Sequence, residues 1–402
     1  MEYKFIEGVN KLQIDNPNVI FVEKNNEVSM DKLFLSMAEI GKKSQNANIK
    51  INLESVYDNN LKNIILENLT TANYSFKKSR GSLLLPNKSI IAEIVNECRK
   101  IIDTPANLMN AEILTNYIVN QRISGLSYEI LGEDELKRAS LNGILAVNQG
   151  SNNQAKMLVI RYGNNRLEPI VLIGKGIVFD SGGINIKSGE FVDMKADKTG
   201  AVYAWGLIKA LALNRVPGHY IAILPLAENM PDGHSMHPGD IYPTCDGRTV
   251  EISNTDAEGR LILADAMCWT QKNIKNPKLL IDLATLTGMA AAFFGSMGTA
   301  AMTNKLGKSY LNRLIEIGDK HHEYYWEVPL HRVFRSKLDS RVADLKNYNP
   351  SINAGTIMAG MFLNEFIPNT TPWIHLDIAG VSYKDESTGE PMLSLYHFLI
   401  NL

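Results

Sequence analysis

The chain has 402 residues, 45% of them hydrophobic and 21% charged, the composition of an ordinary soluble globular protein with an ample core. A formal net charge of −2 gives no electrostatic reason to expect nucleic acid or a membrane as a partner. The 3 cysteines have no C-x-x-C spacing, which argues against a disulfide framework and a thiolate zinc site. This usage fits a reducing compartment, and the N-terminus lacks the apolar segment of a signal peptide, so we expect a cytoplasmic protein.

Residues 1–85 are predicted to form a small α/β domain. Strand and helix patterns alternate there, at residues 18–22 (strand), 30–40 (helix), 49–53 (strand) and 61–69 (helix). A polar, lysine-rich stretch at 77–81 then precedes an apolar segment at 82–86. We therefore place the domain boundary there, after residue 85.

Residues 86–402 are predicted to form a second, larger α/β domain. Apolar residues recur with helical spacing at 90–102, 201–213 and 261–271, and short apolar strands are predicted at 157–162, 170–173, 220–226 and 279–286. Helices that alternate with near-continuous apolar strands indicate a mixed or parallel sheet covered by helices on both faces. In such sheets the ligand crevice lies at the carboxyl ends of the strands.

One uncharged stretch, residues 283–304, is long enough to span a bilayer. It consists largely of glycine, alanine, serine and threonine, however, and glycines interrupt it. We predict a buried strand followed by a glycine-rich loop, and no membrane insertion.

Residues 254–261 read N-T-D-A-E-G-R-L and place two carboxylates and a guanidinium two residues apart, in Asp256, Glu258 and Arg260. In an extended chain all three side chains would point to one face, because strands alternate with period 2. Two acids and an arginine in one space call for a counter-charge, and a metal ion is the obvious candidate. The alternative is a helix start, with Thr255 as the cap and the acids in the first turn. For these eight residues alone, both interpretations stand.

A second polar cluster follows the predicted strand at 170–173, in the glycine-flanked segment 174–183. It is not a P-loop, because Lys175 is followed by Gly176 rather than by serine or threonine. It is not a dinucleotide-binding fingerprint either, because the third position after Gly176 is Phe179.

Four carboxylates, those of Asp180, Asp197, Asp256 and Glu258, are predicted near the strand ends of one sheet. They form the ligand set of a site in which two cations about 3.5–4 Å apart share bridging carboxylates. The Lys175 amine could join as a nitrogen ligand only if uncharged, a state that two adjacent cations would favour.

Histidine does not supply this site, because none of the 8 histidines falls within residues 174–200 or 254–261. His321 and His322 are predicted to be a surface pair. His375 is predicted to be a satisfied core histidine, and Asp377 to hold a neighbouring loop.

Together these motifs resemble the leucyl aminopeptidase family, also called M17 or cytosol aminopeptidase. The main carriers of the resemblance are N-T-D-A-E-G-R-L at 254–261 and G-K-G-I-V-F-D-S-G-G at 174–183. Further segments agree in order: D-T-P-A-N-L-M at 103–109, E-N-M-P at 228–231, P-G-D at 238–240, D-L-A-T-L-T-G at 282–288 and H-L-D-I-A-G at 375–380. The resemblance covers roughly residues 64–402, and its eight-residue match is highly specific.

The resemblance implies a metal-dependent aminopeptidase that hydrolyses the N-terminal residue from peptides with two divalent cations, Mn²⁺ or Zn²⁺ in the first place. One cation would be held by Asp256, Glu258 and Asp180. The other would be held by Lys175, Asp180, Asp197 and Glu258, so that Asp180 and Glu258 bridge the two.

The resemblance also implies the catalytic residues. Lys187 would stabilise the oxyanion, and Arg260 would hold a bicarbonate that acts as general base. The positions that match substrate contacts are Met194, Thr285, Leu286, Gly288 and Ala379. Family members are typically homohexamers, so a homohexamer that acts on peptides with a free N-terminus is expected.

The chain departs from the family pattern at Ser382, where some members have a larger apolar pocket residue, and in two further ways. Lys198 stands after the ligand Asp197 where the family usually has methionine, and the first domain is much shorter than the family norm. These two departures motivate the alternative of a catalytically weak or inactive scaffold that serves as a DNA-accessory or interaction protein. The presence of all seven expected metal-binding and catalytic residues counts against that alternative.

Overall fold

In the computed structural model the described residues are 2–7, 19–22, 27–77, 82–189 and 191–402. Residues 78–81, most of the lysine-rich stretch before the predicted domain boundary, lie outside these ranges. The N-terminal elements are β1 (Glu2–Glu7), β2 (Val19–Val22), α1 (Glu27–Ser44), β3 (Ile49–Ser55), α2 (Asn59–Ala72) and β4 (Leu83–Leu84). The four strands form a parallel sheet in the order β2-β1-β3-β4. The predicted small α/β architecture is confirmed, and β1 is a strand that the pattern analysis missed.

The N-terminal unit has an apolar core of its own. Met37 of α1, Ile49 of β3 and Ile65 of α2 are completely or almost completely buried in it. Helix α2 begins at a capped end, because the Asp58 side chain accepts the N–H groups of Asn60 and Leu61. Such caps stabilise a helix by about 1 kcal/mol.

The rest of the chain adds twelve strands and ten helices within its described residues. The strands are β5 (Leu126–Leu131), β6 (Lys156–Gly163), β7 (Ile170–Gly174), β8 (Gly176–Asp180), β9 (His219–Asn229), β10 (Ile241–Pro243), β11 (Thr249–Glu251), β12 (Leu279–Ala284), β13 (Thr299–Thr303), β14 (Tyr325–Glu327), β15 (Leu345–Lys346) and β16 (Trp373–Asp377). The helices are α3 (Ile90–Asp103), α4 (Ala111–Asn120), α5 (Glu133–Arg138), α6 (Asn142–Asn148), α7 (Thr199–Leu213), α8 (Gly259–Asn273), α9 (Gly288–Phe294), α10 (Lys308–His321), α11 (Gly355–Asn364) and α12 (Met392–Leu399).

The central sheet is mixed, as predicted. Its strand order is β14-β13-β16-β12-β7-β9-β6-β5, and β8 pairs with the later part of β9. Strands β16, β12, β7 and β9 are parallel to one another, whereas β6, β5 and β13 join antiparallel neighbours. The order places the parallel strands at the middle of the sheet.

Helices cover both faces of the central sheet, again as predicted. Alternate side chains of β7 show the arrangement, because Leu172 joins one apolar core while Val171 and Ile173 join the other. The first core is completed by α3, α4, α7, α10 and α12, and the second by α5, α6, α8 and α11. Helix α7 is buried almost all round, which is why its sequence is apolar without a polar face.

The carboxyl ends of the parallel strands gather polar residues at one edge of the sheet. Lys175 follows β7, Asp180 ends β8 and Asn229 ends β9. Thr285 follows β12, and Asp377 ends β16. Because parallel strands end at the same edge, residues more than two hundred positions apart in sequence face one crevice.

A small third sheet, β10-β11-β15, lies beside α8. Cys245, just after β10, forms a disulfide with Cys268 of α8, with Cα atoms 6.1 Å apart. The expectation that the cysteines are unpaired is therefore wrong for this pair, because the β10–β11 hairpin packs on α8 and brings together residues 23 positions apart. Cys98 is free and buried.

The uncharged stretch 283–304 is only partly as predicted. Strand β12 ends at Ala284, but the residues after it form α9 and then β13 rather than a continuous loop. Among the described residues no helix has the length and apolar character needed to cross a membrane.

The histidine predictions had mixed outcomes. His375 is fully buried, and its Nδ1 lies 2.6 Å from Asp282 Oδ1, so the core position is confirmed. Its Nε2 is buried without a hydrogen-bond partner, so the ring is satisfied on one side only. The surface assignment is wrong for His321, which ends α10 facing the chain's interior and is 7% exposed. His322, one residue later, is half-buried and stacks on Phe34.

Candidate active site

Residues 254–261 form a turn that leads into α8, so the extended conformation is wrong for them. Helix α8 begins at Gly259, and Glu258 before it already has helical backbone angles. Asn254 shapes the turn, because its side-chain oxygen accepts the Asp256 N–H at 2.8 Å. The helix-start interpretation is therefore only partly correct: a helix begins here, but Thr255 is not its cap, no side chain caps this end, and neither acid lies in the first turn.

Thr255 joins this turn to the segment after β8 instead of capping α8. Its hydroxyl donates to the Gly182 carbonyl at 2.6 Å and accepts the Asn185 N–H at 2.8 Å. The amide of Asn229 donates both to the Thr255 carbonyl at 3.1 Å and to Asp180 Oδ1 at 2.8 Å. Thr255 and Asn229 thus hold two distant ligand segments together. Asn229 lies in E-N-M-P at 228–231, one of the segments that carry the family resemblance, but its role as a link between the two segments was not predicted.

Three of the predicted metal ligands converge at this junction. One carboxylate oxygen each from Asp180, Asp256 and Glu258 lies within 4.8 Å of the others. The Lys187 ammonium sits among them, with Nζ 2.7 Å from Asp180 Oδ2 and 2.5 Å from Asp256 Oδ1. The two halves of the predicted site therefore meet in space.

The other two predicted ligands, Lys175 and Asp197, complete the cluster. Lys175 Nζ lies 2.8 Å from Asp197 Oδ2 and 2.9 Å from Glu258 Oε1, and it donates to the Thr285 carbonyl at 2.7 Å. The Thr285 hydroxyl donates to Asp197 Oδ1 at 2.6 Å. We call Lys175, Asp180, Asp197, Asp256 and Glu258 the acid cluster.

The acid cluster is buried and contains more carboxylates than ammonium groups. Four carboxylates face the ammonium groups of Lys175 and Lys187, and Asp180, Asp197 and Glu258 are less than a tenth exposed. Burial, with the Glu258 charge, raises the pKa of Asp180 to about 6, and burial raises the pKa of Asp197 to about 8. These carboxylates are thus short of positive charge.

The lysines respond in the opposite sense. Burial alone would lower the pKa of Lys175 and of Lys187, but the surrounding carboxylates outweigh burial and raise both. Without other cations, Lys175 is therefore charged and paired. It can act as a nitrogen ligand only when an incoming cation displaces its proton.

The donor set of the acid cluster fits divalent cations. Glu258 Oε2 is buried and has no hydrogen-bond partner, so one ligand oxygen is unsatisfied inside the cluster. Such an atom costs free energy unless a cation or donor pairs with it. Carboxylate oxygens with one amine suit borderline or hard cations such as Mn²⁺ and Zn²⁺.

Gly259 is required for the close approach of Lys175. A Cβ added there would lie 2.5 Å from Lys175 Cε and 2.7 Å from its Nζ. We expect Gly259→Ala to push the amine away from Asp197 and Glu258. Activity should fall by on the order of 10–100-fold, with little change in melting temperature, because only the tip of a side chain must move.

The matched control for this substitution is Gly233→Ala. Nothing lies within 4 Å of a Cβ at Gly233, so the same chemical change meets open space. Bound metal and leucine-p-nitroanilide hydrolysis should be measured for both variants. Equal metal content and activity in the two would contradict the role assigned to Gly259.

Arg260 is held away from the acids by a residue that sequence reasoning missed. Its Nη1 donates to the Asn347 carbonyl at 2.8 Å, while its Nε is buried without a partner. Asn347 also accepts the Ser253 N–H and donates to the Asn254 carbonyl, so it shapes the whole turn. Burial lowers the pKa of Arg260 to about 10, which leaves a charged guanidinium at neutral pH. No sequence signal distinguished Asn347 from other loop asparagines.

The predicted substrate positions lie at the rim of the acid cluster. Met194 is half-buried on the short helical segment Val192–Lys198, which also carries Asp197. Thr285 and Leu286 follow β12, and the exposed Gly288 starts α9.

Asp377 organises the far side of this rim, as predicted. Its Oδ1 accepts the N–H groups of Leu286 and Ala379 at 3.1 and 3.2 Å, and its Oδ2 accepts the Thr287 hydroxyl at 2.6 Å. The Leu286 N–H is therefore committed within the protein, so backbone contact with a ligand at this position would use its carbonyl.

Comparison with known proteins identifies the family of this chain. The family model described as the cytosol aminopeptidase family, catalytic domain, matches residues 96–395. The chain belongs to this family. Among its relatives, the probable cytosol aminopeptidase of Agrobacterium fabrum is 40% identical over 287 residues, which is 71% of this chain and 57% of that protein. The probable cytosol aminopeptidase of Histophilus somni strain 129Pt is 41% identical over 323 residues, 77% of this chain and 64% of that protein.

A solved structure shares the fold of this family member. The bottromycin maturation enzyme BotP, in complex with Mn, superposes with a TM-score of 0.87 over 100% of this chain and 98% of that chain, at 24% identity. The aligned region spans only 57–64% of the length of the curated relatives named above.

Lys198, the residue that departs from the family pattern, turns away from the acid cluster. Its side chain is fully buried, and its amine donates to the carbonyls of Ile102, Thr104 and Lys195 at 3.0, 3.1 and 2.6 Å. Burial lowers the pKa of this amine to about 7. In this family member Lys198 ties the segment that carries Asp197 to the end of α3.

Proposed function

We propose that this family member is an aminopeptidase that hydrolyses the N-terminal residue from peptides with two divalent cations, Mn²⁺ or Zn²⁺. The carrying observation is the acid cluster, in which four carboxylates converge on two lysines and leave Glu258 Oε2 unpaired. Asp180, Asp256 and Glu258 would hold one cation, and Lys175, Asp180, Asp197 and Glu258 the other. When bound, the cations would polarise the scissile carbonyl and acidify the attacking water.

A preference for chain ends would follow if the free α-amine of the substrate, in its neutral form, served as a ligand of one cation. A peptide with a free N-terminus brings such an amine to the acid cluster. An internal peptide bond has no such group nearby. The half-buried Met194 would form a wall of the pocket for the first side chain, and the backbone of Thr285, Leu286, Gly288 and Ala379 would position the substrate chain.

Lys187 is suited to stabilise the oxyanion that forms on the scissile carbonyl. Its side chain is 23% exposed, whereas that of Lys175 is 3% exposed, so Lys187 is the lysine that can turn towards a substrate. When cations take over its carboxylate partners, its ammonium group is released to donate to the oxyanion. A preorganised donor of this kind is worth about 2.7–4 kcal/mol in a site from which water is excluded.

Arg260 is suited to hold a small planar anion such as bicarbonate as the general base. The guanidinium is buried and charged, and its unpaired Nε leaves donor capacity for a second partner. Its planar fork matches a carboxylate-like anion with two parallel hydrogen bonds. An anion there would take the proton of the attacking water.

Broader features of the proposal follow from the family. We place the boundary between the two units after residue 85, since β4 is the last strand of the N-terminal sheet. We also propose a homohexamer and a cytoplasmic location, and peptides rather than nucleic acid as partners.

The experiment is a peptidase assay on the full chain after chelator treatment and reloading. Hydrolysis of leucine-p-nitroanilide and of a leucyl dipeptide should disappear without metal and return with Mn²⁺ or Zn²⁺. The same dipeptide with an acetylated N-terminus is the matched control and should not be cleaved. A panel of other aminoacyl substrates then measures the preferred first residue.

The assay also distinguishes the aminopeptidase proposal from the alternative of an inactive scaffold or DNA-accessory protein. Absence of both bound metal and turnover after loading with either cation would overturn the aminopeptidase proposal and favour that alternative. Equal cleavage of free and acetylated peptide would overturn the assignment as an aminopeptidase. The convergence of Lys175 and Lys187 with the carboxylates supports the enzyme.

A further inference from the structure

A second cluster of ligand-type side chains lies where the N-terminal unit meets the larger one. Glu67 of α2, His321 of α10 and His397 of α12 each offer an atom within 4.8 Å of the other two. Glu67 and His321 are buried, and the His397 side chain is 22% exposed. None of the three belongs to the acid cluster or to the substrate rim.

The contacts inside this cluster leave it incompletely satisfied. His397 Nε2 lies 3.0 and 3.2 Å from the two Glu67 oxygens and is the only ion-pair partner of Glu67 among the described residues. The His321 ring stacks on that of His397 with centroids 4.3 Å apart, and its Nδ1 is buried without a hydrogen-bond partner. A buried carboxylate, two adjacent imidazoles and an unpaired ring nitrogen together call for a further cation.

We propose that Glu67, His321 and His397 bind a divalent transition-metal ion, with Zn²⁺ as the best match. Two imidazoles and one carboxylate are borderline ligands, which favour Zn²⁺ and its neighbours over Mg²⁺ or Ca²⁺. Three protein ligands leave one position for water, and the exposed edge of His397 provides the path of entry. We call this trio the interdomain site.

The present spacing is close to what such an ion needs. Metal–ligand distances of about 2.0–2.1 Å in a tetrahedral site place ligand atoms roughly 3.3 Å apart. The Glu67–His397 pair, at 3.0 Å, already meets this spacing. The two rings, now 21° from parallel, must tilt so that their nitrogens converge on the ion.

A neighbouring hydroxyl also suits a metal site at this position. The Ser89 hydroxyl, 3.5 Å from Glu67 Oε1, is placed to orient the carboxylate from outside, as partners of metal ligands commonly do.

An ion at the interdomain site would join α2 to α10 and α12. Because it would bind the folded arrangement and not the separated units, it would stabilise their contact. The interdomain site is thus a structural clamp, and its occupancy is independent of catalysis.

The test counts metal in the full-length protein by mass spectrometry after dialysis against Zn²⁺ and removal of free ion. His321→Gln and Glu67→Gln should each retain one equivalent of Zn²⁺ per chain less than the wild type, with unchanged activity of the acid cluster. His322→Asn is the matched control, since His322 adjoins the site but stacks on Phe34. Asn tolerates the left-handed backbone of position 322.

A positional measurement covers the case of a variant that fails to fold. Crystals of the wild-type protein with Zn²⁺, measured at the zinc absorption edge, should show an anomalous peak between Glu67, His321 and His397. No peak there, or equal zinc content in wild type and both folded variants, would overturn the proposal.

Discussion

Glu258→Gln is expected to lower kcat/KM for leucine-p-nitroanilide by about a thousandfold, and to lower the bound metal content. Glu258 contacts Lys175 through Oε1 and leaves Oε2 unpaired, so it is the carboxylate best placed to bridge two cations. Glutamine keeps the shape of the side chain but removes the charge that bridging needs. The several kcal/mol that metal ions contribute to the transition state set the size of the loss.

The control for this variant is Glu316→Gln, which makes the same chemical change at an exposed position of α10. It should behave as the wild type in activity, metal content and melting temperature. Circular dichroism establishes that Glu258→Gln folds. Full activity in a folded Glu258→Gln protein would be incompatible with the two-cation site.

Lys187→Met is expected to give a different signature, a fall in kcat of about 10²–10³-fold with no loss of metal, the range seen when an oxyanion donor is removed. Lys187 now neutralises Asp180 and Asp256. Without it these carboxylates are more negative, so they should bind divalent cations at least as tightly. In Lys187→Met, activity should therefore fall while the metal content stays the same.

Kinetics and metal titration together check the Lys187 prediction. Lys137→Met, at an exposed position of α5, is the control and should leave both quantities unchanged. If Lys187→Met loses metal in proportion to activity, Lys187 holds the cluster together and is not an oxyanion donor.

The parts of the fold that could be predicted are those whose sequence pattern lies within a single helix or strand. Apolar periodicity located four strands of the central sheet, β6, β7, β9 and β12, and the helices α3, α7 and α8, because each buries a face in one of the two cores. The remaining strands of that sheet, β5, β8, β13, β14 and β16, were not predicted. Strand β1 was missed since its six residues, E-Y-K-F-I-E, contain as many charged as apolar side chains. The pairing of Cys245 with Cys268 was missed because it depends on a hairpin packing against α8, which no spacing rule encodes.

The sequence predicted which residues form the candidate site, but not which residues hold them in place. Most of the acids and lysines of the site were recognisable from the sequence motifs at 174–183 and 254–261, and the structure brings them together. Asn347, Asn229 and Thr255 position them through hydrogen bonds, most of which go to backbone groups and could be made by other polar residues, so their role is visible only in three dimensions. The sequence did not decide between an extended conformation and a helix start for residues 254–261, because either conformation can bring Asp256, Glu258 and Arg260 close together.

The long reach of Asn347 and Asp377 has a consequence for biosynthesis. The turn at 254–257 is moulded by Asn347, and the rim after β12 is held by Asp377 near the end of the chain. The turn and the rim cannot take their final conformations until Asn347 and Asp377 have been synthesised. The nascent chain therefore contains the carboxylates of the acid cluster long before these carboxylates can be positioned. The acid cluster and its rim therefore reach their final arrangement only after residue 377 has been synthesised.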